Sequence, residues 1–567
     1  MIKRIARKFL IRERVSESIT RNAVLIATMG IASRILGLVR DRALASKFGA
    51  GEVLDAYYAA FKIPDFIYSF LILGTVSAAF VPIFTELICR KKDSEAWQLV
   101  NALLTVIIFA LSLLALILFF FTPSLIEWLT VGFDQERKEL VTMMTRIMLL
   151  SPIILGVSSV MGGILNSFKK FFYYSLAPIF YNLGIIIGVV FLSEYFGPIG
   201  LAWGVILGAL MHLSVQIPET LNSGLNFSFQ LDFKNKNLRR IIILMIPRAL
   251  GTAVSQINLL VVTVIASTLA AGSLAIFTFA DNIQSVSLGV FGISFATAAF
   301  PILSILWAEG RKDEFTERFI KTLRKILFLI IPISALTFVL RAQIVRVILG
   351  TGRFDWEDTM LTLECLGIFT ISLWAQGMIP LLSRAFYAIQ NTLIPFVVGI
   401  FSTALNITIA VYLIKNSQLL VIFWKWLGYN PEVAGNFEVI GLVLAFSISS
   451  IVNALLLLFI LRSRIGSFGK QGLFKMLGKV LLATLIMVFV AQIVKSFVGA
   501  ESLGTRSTFL GVFIQLFLAA GSGLAVYIFL AYSFSISEVR YFIAIVKKHI
   551  LKMKKVFNFF SFLRRIS

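Results

Sequence analysis

The sequence predicts an all-α polytopic membrane protein of about fourteen transmembrane helices, as two six-helix lobes in parallel repeat plus two extra C-terminal helices. Three observations predict it. Of 567 residues, 58% are hydrophobic and 14% charged, with a mean hydropathy of +0.92, too apolar for a surface facing water. Apolar stretches of about 20 residues, the length that crosses a hydrocarbon core, recur from end to end. Finally, a long segment recurs at a fixed offset. Lipid offers a backbone no hydrogen-bond partner, so such stretches must be helices rather than open strands.

Residues 1–22 are basic and amphipathic, with no A-x-A cleavage pattern after them. They read as a cytoplasmic interfacial segment rather than a signal peptide. The N-lobe, 23–220, contains spans at 24–46, 57–87, 98–121, 139–165, 176–194 and 198–217. The C-lobe, 221–465, begins with a cytoplasmic linker and has spans at 239–267, 274–305, 317–340, 358–387, 392–414 and 439–461. A final pair, 473–496 and 507–533, falls within 466–535, and a basic cytoplasmic tail follows at 536–567. Several spans exceed what a bilayer needs, which implies tilt or extension into water. Lysine and arginine set the topology. Arg90-Lys91-Lys92, Lys169-Lys170, Arg239-Arg240, Arg311-Lys312 and Arg462/Arg464 follow even-numbered spans, whereas 195–197 and 268–273 carry neither residue. Both termini are therefore expected in the cytoplasm.

The repeat pairs the segment from Ala45 with that from Ala266, an offset of 221 residues. Each copy ends in Ala-Ala-Phe, a proline and a basic loop. A weaker match sets Asn166…Pro178 beside Ser383…Pro395. Six intervening crossings return the chain to the same side, so the copies are parallel. Transporters that alternate their access use such repeats, with a substrate site between the halves.

Composition excludes several classes. The net charge of +23 sits mostly in short loops and lacks aromatic-interleaved basic motifs, so nucleic acid is not an expected partner. Cys89 and Cys365 stand far apart in no ligand-like spacing, and His212 and His549 are the sole histidines, so neither a disulfide framework nor a metal site is expected. No H-E-x-x-H, G-x-S-x-G or P-loop is present, and no cofactor or enzymatic activity is expected.

Charge inside spans costs about 2.5–3.5 kcal/mol per group at the centre of a helix, so it marks candidate sites. Arg34, Arg40, Asp41, Arg42, Asp55, Lys62 and Asp65 crowd the first two spans. Arg34 and Asp41 share a helix face, as do Asp55, Tyr58 and Lys62. A hydrated cationic cavity for an anionic headgroup would explain this stripe; interfacial pairing of Arg40, Asp41 and Arg42 is the alternative. The second half offers Arg248, Asp281 and Asn282, for which the same cavity or an interhelical hydrogen bond serves equally. Glu364 is a lone acid that could take a cation.

Ser33–Gly51 (SRILGLVRDRALASKFGAG), Asp55, Ala60-Phe61-Lys62, Pro64, Gly74 and Ala79-Phe80-Val81-Pro82 together resemble the MurJ/MviN family of lipid II flippases, of the multidrug/oligosaccharidyl-lipid/polysaccharide superfamily. Weaker matches follow at Gly163–Asn166, Ala177-Pro178, Ser255-Gln256, Ala280-Asp281, Gly352-Arg353-Phe354 and Ala385-Phe386-Tyr387. The resemblance implies a two-lobed transporter of the bacterial cytoplasmic membrane. Its cationic cavity takes the pyrophosphate-sugar headgroup of lipid II, and a groove at the last two spans holds the polyprenyl tail. It carries substrate contact onto Arg34 and Arg40, with Asp55 and Lys62 nearby. Anionic membrane lipids and cell-wall synthesis proteins are the other expected partners. Where the family has arginines, this chain has Tyr68, Ser69 and, after Asp281, Asn282; where the family has an acid before Gly74, it has Leu73. Arg248 or Lys62 would have to compensate. Otherwise the cargo is another anionic lipid-linked oligosaccharide, with a cation-coupled small-molecule exporter or a transport-dead scaffold as more distant readings.

Overall fold

The computed structural model describes residues 25–26, 28–69, 79–232, 234–416, 418, 420–422, 437–466, 472–499 and 508–540, with backbone alone for 244–255. The expected segment 1–22, the tail beyond 540 and the Arg248 side chain lie outside the described residues. Every regular element among them is helical, as an apolar environment requires. Among the described residues, ten helical segments are long and apolar enough to cross a membrane. One of these, Phe171–Asn222, runs to 52 residues and covers two expected spans.

That segment doubles back on itself, and its glycines explain how. Gly184 and Gly188 face Gly208 and Gly204, and a Cβ on any of the four would collide with backbone across the interface. Spaced four apart, they form one flat stripe on each helix, the small-residue interface by which helices associate in lipid. The reversal comes at Gly197, whose φ of +56° is readily reached by glycine. Gly188→Val should separate these helices and lower the melting temperature in detergent by several degrees. Gly30→Val, with nothing within 4 Å of a Cβ at position 30, should leave it nearly unchanged; equal effects would rule out close packing as the cause.

The chain divides into two compact units. The first comprises Met1–Ile283, Ile348–Cys365 and Gly399–Phe446. Phe80, Phe84, Trp97 and Phe168 form an aromatic cluster with ring centroids 5.3–6.3 Å apart. It ties Val81–Cys89 to Asp93–Leu129 and Leu150–Ser167. The extended stretch after Asn222 runs along Asp93–Leu129. There Asn101 donates to the Asn226 carbonyl and Ser228 Oγ, and Thr105 Oγ1 accepts from Gln230 N–H.

The second unit comprises Gln284–Val347, Leu366–Val398 and Ser447–Ser567. Its core centres on Phe315, Phe319, Leu323 and Phe386. The unduplicated helices Leu473–Val498 and Phe509–Ser533 dock on Lys312–Val339. Tyr527 Oη donates to the Phe328 carbonyl at 2.7 Å, and Lys495 Nζ to that of Val339 at 3.0 Å. Beyond them Glu538 pairs with Arg324 at 2.7 Å. Phe120, Phe459, Phe489 and Phe517 remain exposed on the helix surfaces, where lipid would meet them.

Candidate functional site

The helix 28–48 carries the densest intramembrane charge, and its neighbours take up much of it. Arg40 donates through Nε and Nη2 to Asp41 Oδ1 at 3.0 and 2.8 Å, and through Nη1 to Asn182 Oδ1 at 3.2 Å. Asp41, 2% exposed, accepts at its other oxygen from Asn282 Nδ2 at 3.0 Å. Arg40, Asp41 and Asn282 are thus brought into one network.

Lys62 lies within electrostatic reach of Asp65 and Asp281, so two candidate residues from the two halves of the sequence come together within the first unit. Arg34, half-buried, lines a cavity of about 570 Å³ together with Ser33 and Tyr68. Tyr68 stands at one position where the family's arginine is missing, and its hydroxyl meets Ser159 Oγ at 3.1 Å. The first unit also pairs Asn406 Nδ2 with Asn258 Oδ1 at 2.9 Å. Glu364 is buried there as well.

Asp55 does something different from its predicted neighbours. At 1% exposure, its two oxygens accept from the backbone N–H groups of Gly272 (2.7 Å) and Ala275 (2.8 Å). Gly272 immediately precedes the helix Ser273–Ser287, so the carboxylate caps that helix at its positive end. One acid from the first repeat copy therefore holds the matching turn of the second.

Around this cap the loops interlock through their backbones. Arg353 N–H donates to the Ser46 carbonyl at 2.9 Å, and Ala50 N–H donates to Asp358 Oδ2 at 2.8 Å. A Cβ at Gly272 would collide with the Ala50 carbonyl, at Gly352 with Ser46, and at Gly132 with Ser267. Nearby, Asp134 caps Gln135–Met148, and the Arg137 N–H and guanidinium hold its exposed carboxyl below the usual carboxylate range. The turns 49–51, 130–134, 268–272 and 349–355 thereby close one end of the first unit. Sequence reasoning singled out Asp55 but not Asp358 or the interlocking turns. Their signal was glycine at the turns, including the Gly352-Arg353-Phe354 match, where φ is +64° at Gly352 and +65° at Gly49.

Comparison with known proteins follows the same lines. Residues 44–514 match the family model described as lipid II flippase MurJ. A probable lipid II flippase MurJ of Buchnera aphidicola subsp. Acyrthosiphon pisum is 30% identical over 521 residues, covering 91% of this chain and 98% of its own. A solved structure of lipid II flippase MurJ in an inward closed conformation superposes with a TM-score of 0.69 at 27% identity, covering 90% of this chain and 98% of that one. An inward-facing multidrug resistance MATE transporter of the MOP superfamily shares the fold, with a TM-score of 0.63 at 16% identity over 80% of this chain and 99% of its own. Matched over residues 44–514 by that family model and over 98% of a relative 30% identical to it, this multi-pass helical chain belongs to the lipid II flippase MurJ family.

Proposed function

We propose that this protein moves lipid II, the undecaprenyl-pyrophosphate-linked peptidoglycan precursor, from the inner to the outer leaflet of a bacterial cytoplasmic membrane by alternating access. The observation that carries the reading is a sealed end and an arginine-lined cavity in one unit of a chain of this family. Access from one side at a time requires a seal, and an anionic headgroup requires a cation inside. The loop 268–272 carries no lysine or arginine, so the positive-inside rule turns the sealed end outward and both termini to the cytoplasm. Arg34, Arg40 and Lys62 then supply positive charge for the pyrophosphate, with Arg248 from the second repeat. The last two helices offer an apolar face to the polyprenyl tail. The basic segment 1–22 and the basic tail beyond 540 rest on anionic lipid, where each lysine or arginine near the surface is worth about 1 kcal/mol.

Tyr68 and Asn282, standing where arginines are expected, favour a second reading in which the cargo is another anionic lipid-linked oligosaccharide. One experiment separates the two. The chain replaces the native flippase in a depletion strain, and externally accessible lipid II is measured. Restoration is expected. Arg34→Ala should cut it by about tenfold or more, since a hydrogen bond to a charged group contributes about 1.5–3 kcal/mol. A chain that reaches the membrane yet restores none carries something else.

A further inference from the structure

The cavity that holds Arg34 has another wall, which binding of pyrophosphate does not use. Tyr68, Ser158, Ser175, His212 and Gln216 line it with uncharged hydrogen-bonding groups, and among the described lining residues there is no acid or lysine. Ser158, Ser175 and Gln216 are 0, 8 and 1% exposed, so this is a built interior and not a surface dip.

A short relay orders these groups. Gln216 Nε2 donates to Ser158 Oγ at 2.6 Å, and Ser158 Oγ in turn meets His212 Nδ1 at 2.7 Å and donates to the His212 carbonyl at 3.3 Å. The neutral imidazole of His212, a residue that lines the cavity, brings one donor and one acceptor nitrogen to this relay. Two acceptors are left over. Gln216 Oε1 and Ser175 Oγ are buried with no hydrogen-bond partner among the described residues. Each such atom costs about 1–3 kcal/mol, a cost that a ligand's hydroxyl or amide would relieve.

Gly162 makes the room. A Cβ there would stand 3.0 Å from Gln216 Oε1 and 3.1 Å from the Tyr174 ring, so glycine leaves the amide oxygen facing a bare stretch of helix. Tyr174, 43% exposed, adds an aromatic face. Amide, hydroxyls, imidazole and aromatic ring without a carboxylate suit a neutral, hydroxyl-rich ligand and not a cation. The volume of about 570 Å³ falls in the range of small-molecule sites.

We propose that this wall is a sugar subsite: it takes the hydroxyl and acetamido groups of the headgroup's pyranose rings, while Arg34 on the same cavity takes phosphate. The proposal rests on the flippase reading, and the test keeps the two apart. The purified full-length chain in lipid nanodiscs is titrated, by native mass spectrometry, with undecaprenyl pyrophosphate and with the same lipid carrying the N-acetylated disaccharide. Wild type is expected to bind the disaccharide form about tenfold tighter, the worth of one or two hydrogen bonds. Ser175→Ala/Gln216→Leu should erase that preference and keep the affinity for undecaprenyl pyrophosphate. Gly162→Ala, which fills the floor and retains every polar group, should do the same. Arg34→Ala should weaken both ligands. A preference that survives in both wall variants, or is missing from wild type, overturns the subsite and leaves the flippase reading standing. Wild type that binds neither lipid overturns both.

Discussion

Hydrogen exchange across residues 270–276 should accelerate by about 30- to 700-fold in Asp55→Ala, because that carboxylate caps the turn with both of its oxygens. It accepts from Gly272 and Ala275 at 2.7 and 2.8 Å and is 1% exposed. Removing it strands two N–H donors at the positive end of a helix, away from water. Hydrogen bonds to a charged group contribute about 1.5–3 kcal/mol each, and neighbouring effects do not add fully. A combined loss of about 2–4 kcal/mol converts to that range at 1.4 kcal/mol per tenfold. Asp55→Asn keeps one acceptor oxygen and should fall between the two. In cells, Asp55→Ala should transport poorly although it reaches the membrane, because alternation needs both a sealed and an open state of similar energy. Exchange unchanged at 270–276 would mean that the end is held by something other than this cap.

Gly272→Ala should damage the same seal by a different route, and by at least as much. Two costs coincide there. The φ of +89° strains any residue with a Cβ, by about 1–2 kcal/mol. The added carbon also collides with the Ala50 carbonyl, and backbone cannot swing aside as a side-chain tip can. Gly197→Ala is the control, since its φ is +56° and nothing lies within 4 Å of a Cβ. It carries the strain without the collision. The readout is exchange at Ala50, whose N–H is tied to Asp358 Oδ2 at 2.8 Å. Gly272→Ala should raise it sharply together with exchange at 270–276, and Gly197→Ala should raise neither. If the two variants behave alike, the turns do not close as tightly as their backbones suggest.

Asp55 illustrates how far a periodic reading reaches. Spacing placed it on one helix face with Tyr58 and Lys62, and that much follows from 3.6 residues per turn. What the acid touches depends on a turn 217 residues further along the chain, and no local pattern reports it. Asn282 makes the same point from the other side. The resemblance implies an arginine at that position, whereas the structure shows the Asn282 amide reaching Asp41. The cavity wall was less legible still. Ser158, Ser175 and Gln216 form no local pattern in the sequence, and only packing reveals that two of their oxygens lack partners among the described residues.

By itself the sequence determined that this chain lives in lipid, that it is helical, and that its first spans carry charge too costly to be incidental. These follow from transfer free energies and backbone hydrogen bonding, which act on each segment without reference to the rest. The glycine-on-glycine packing within Phe171–Asn222, the capping of one repeat by the other and the neutral wall beside Arg34 were decided only in the tertiary structure. Each depends on which backbone comes within hydrogen-bonding distance of which side chain. That distance is a property of the packed helices, which residues far apart in the chain set together.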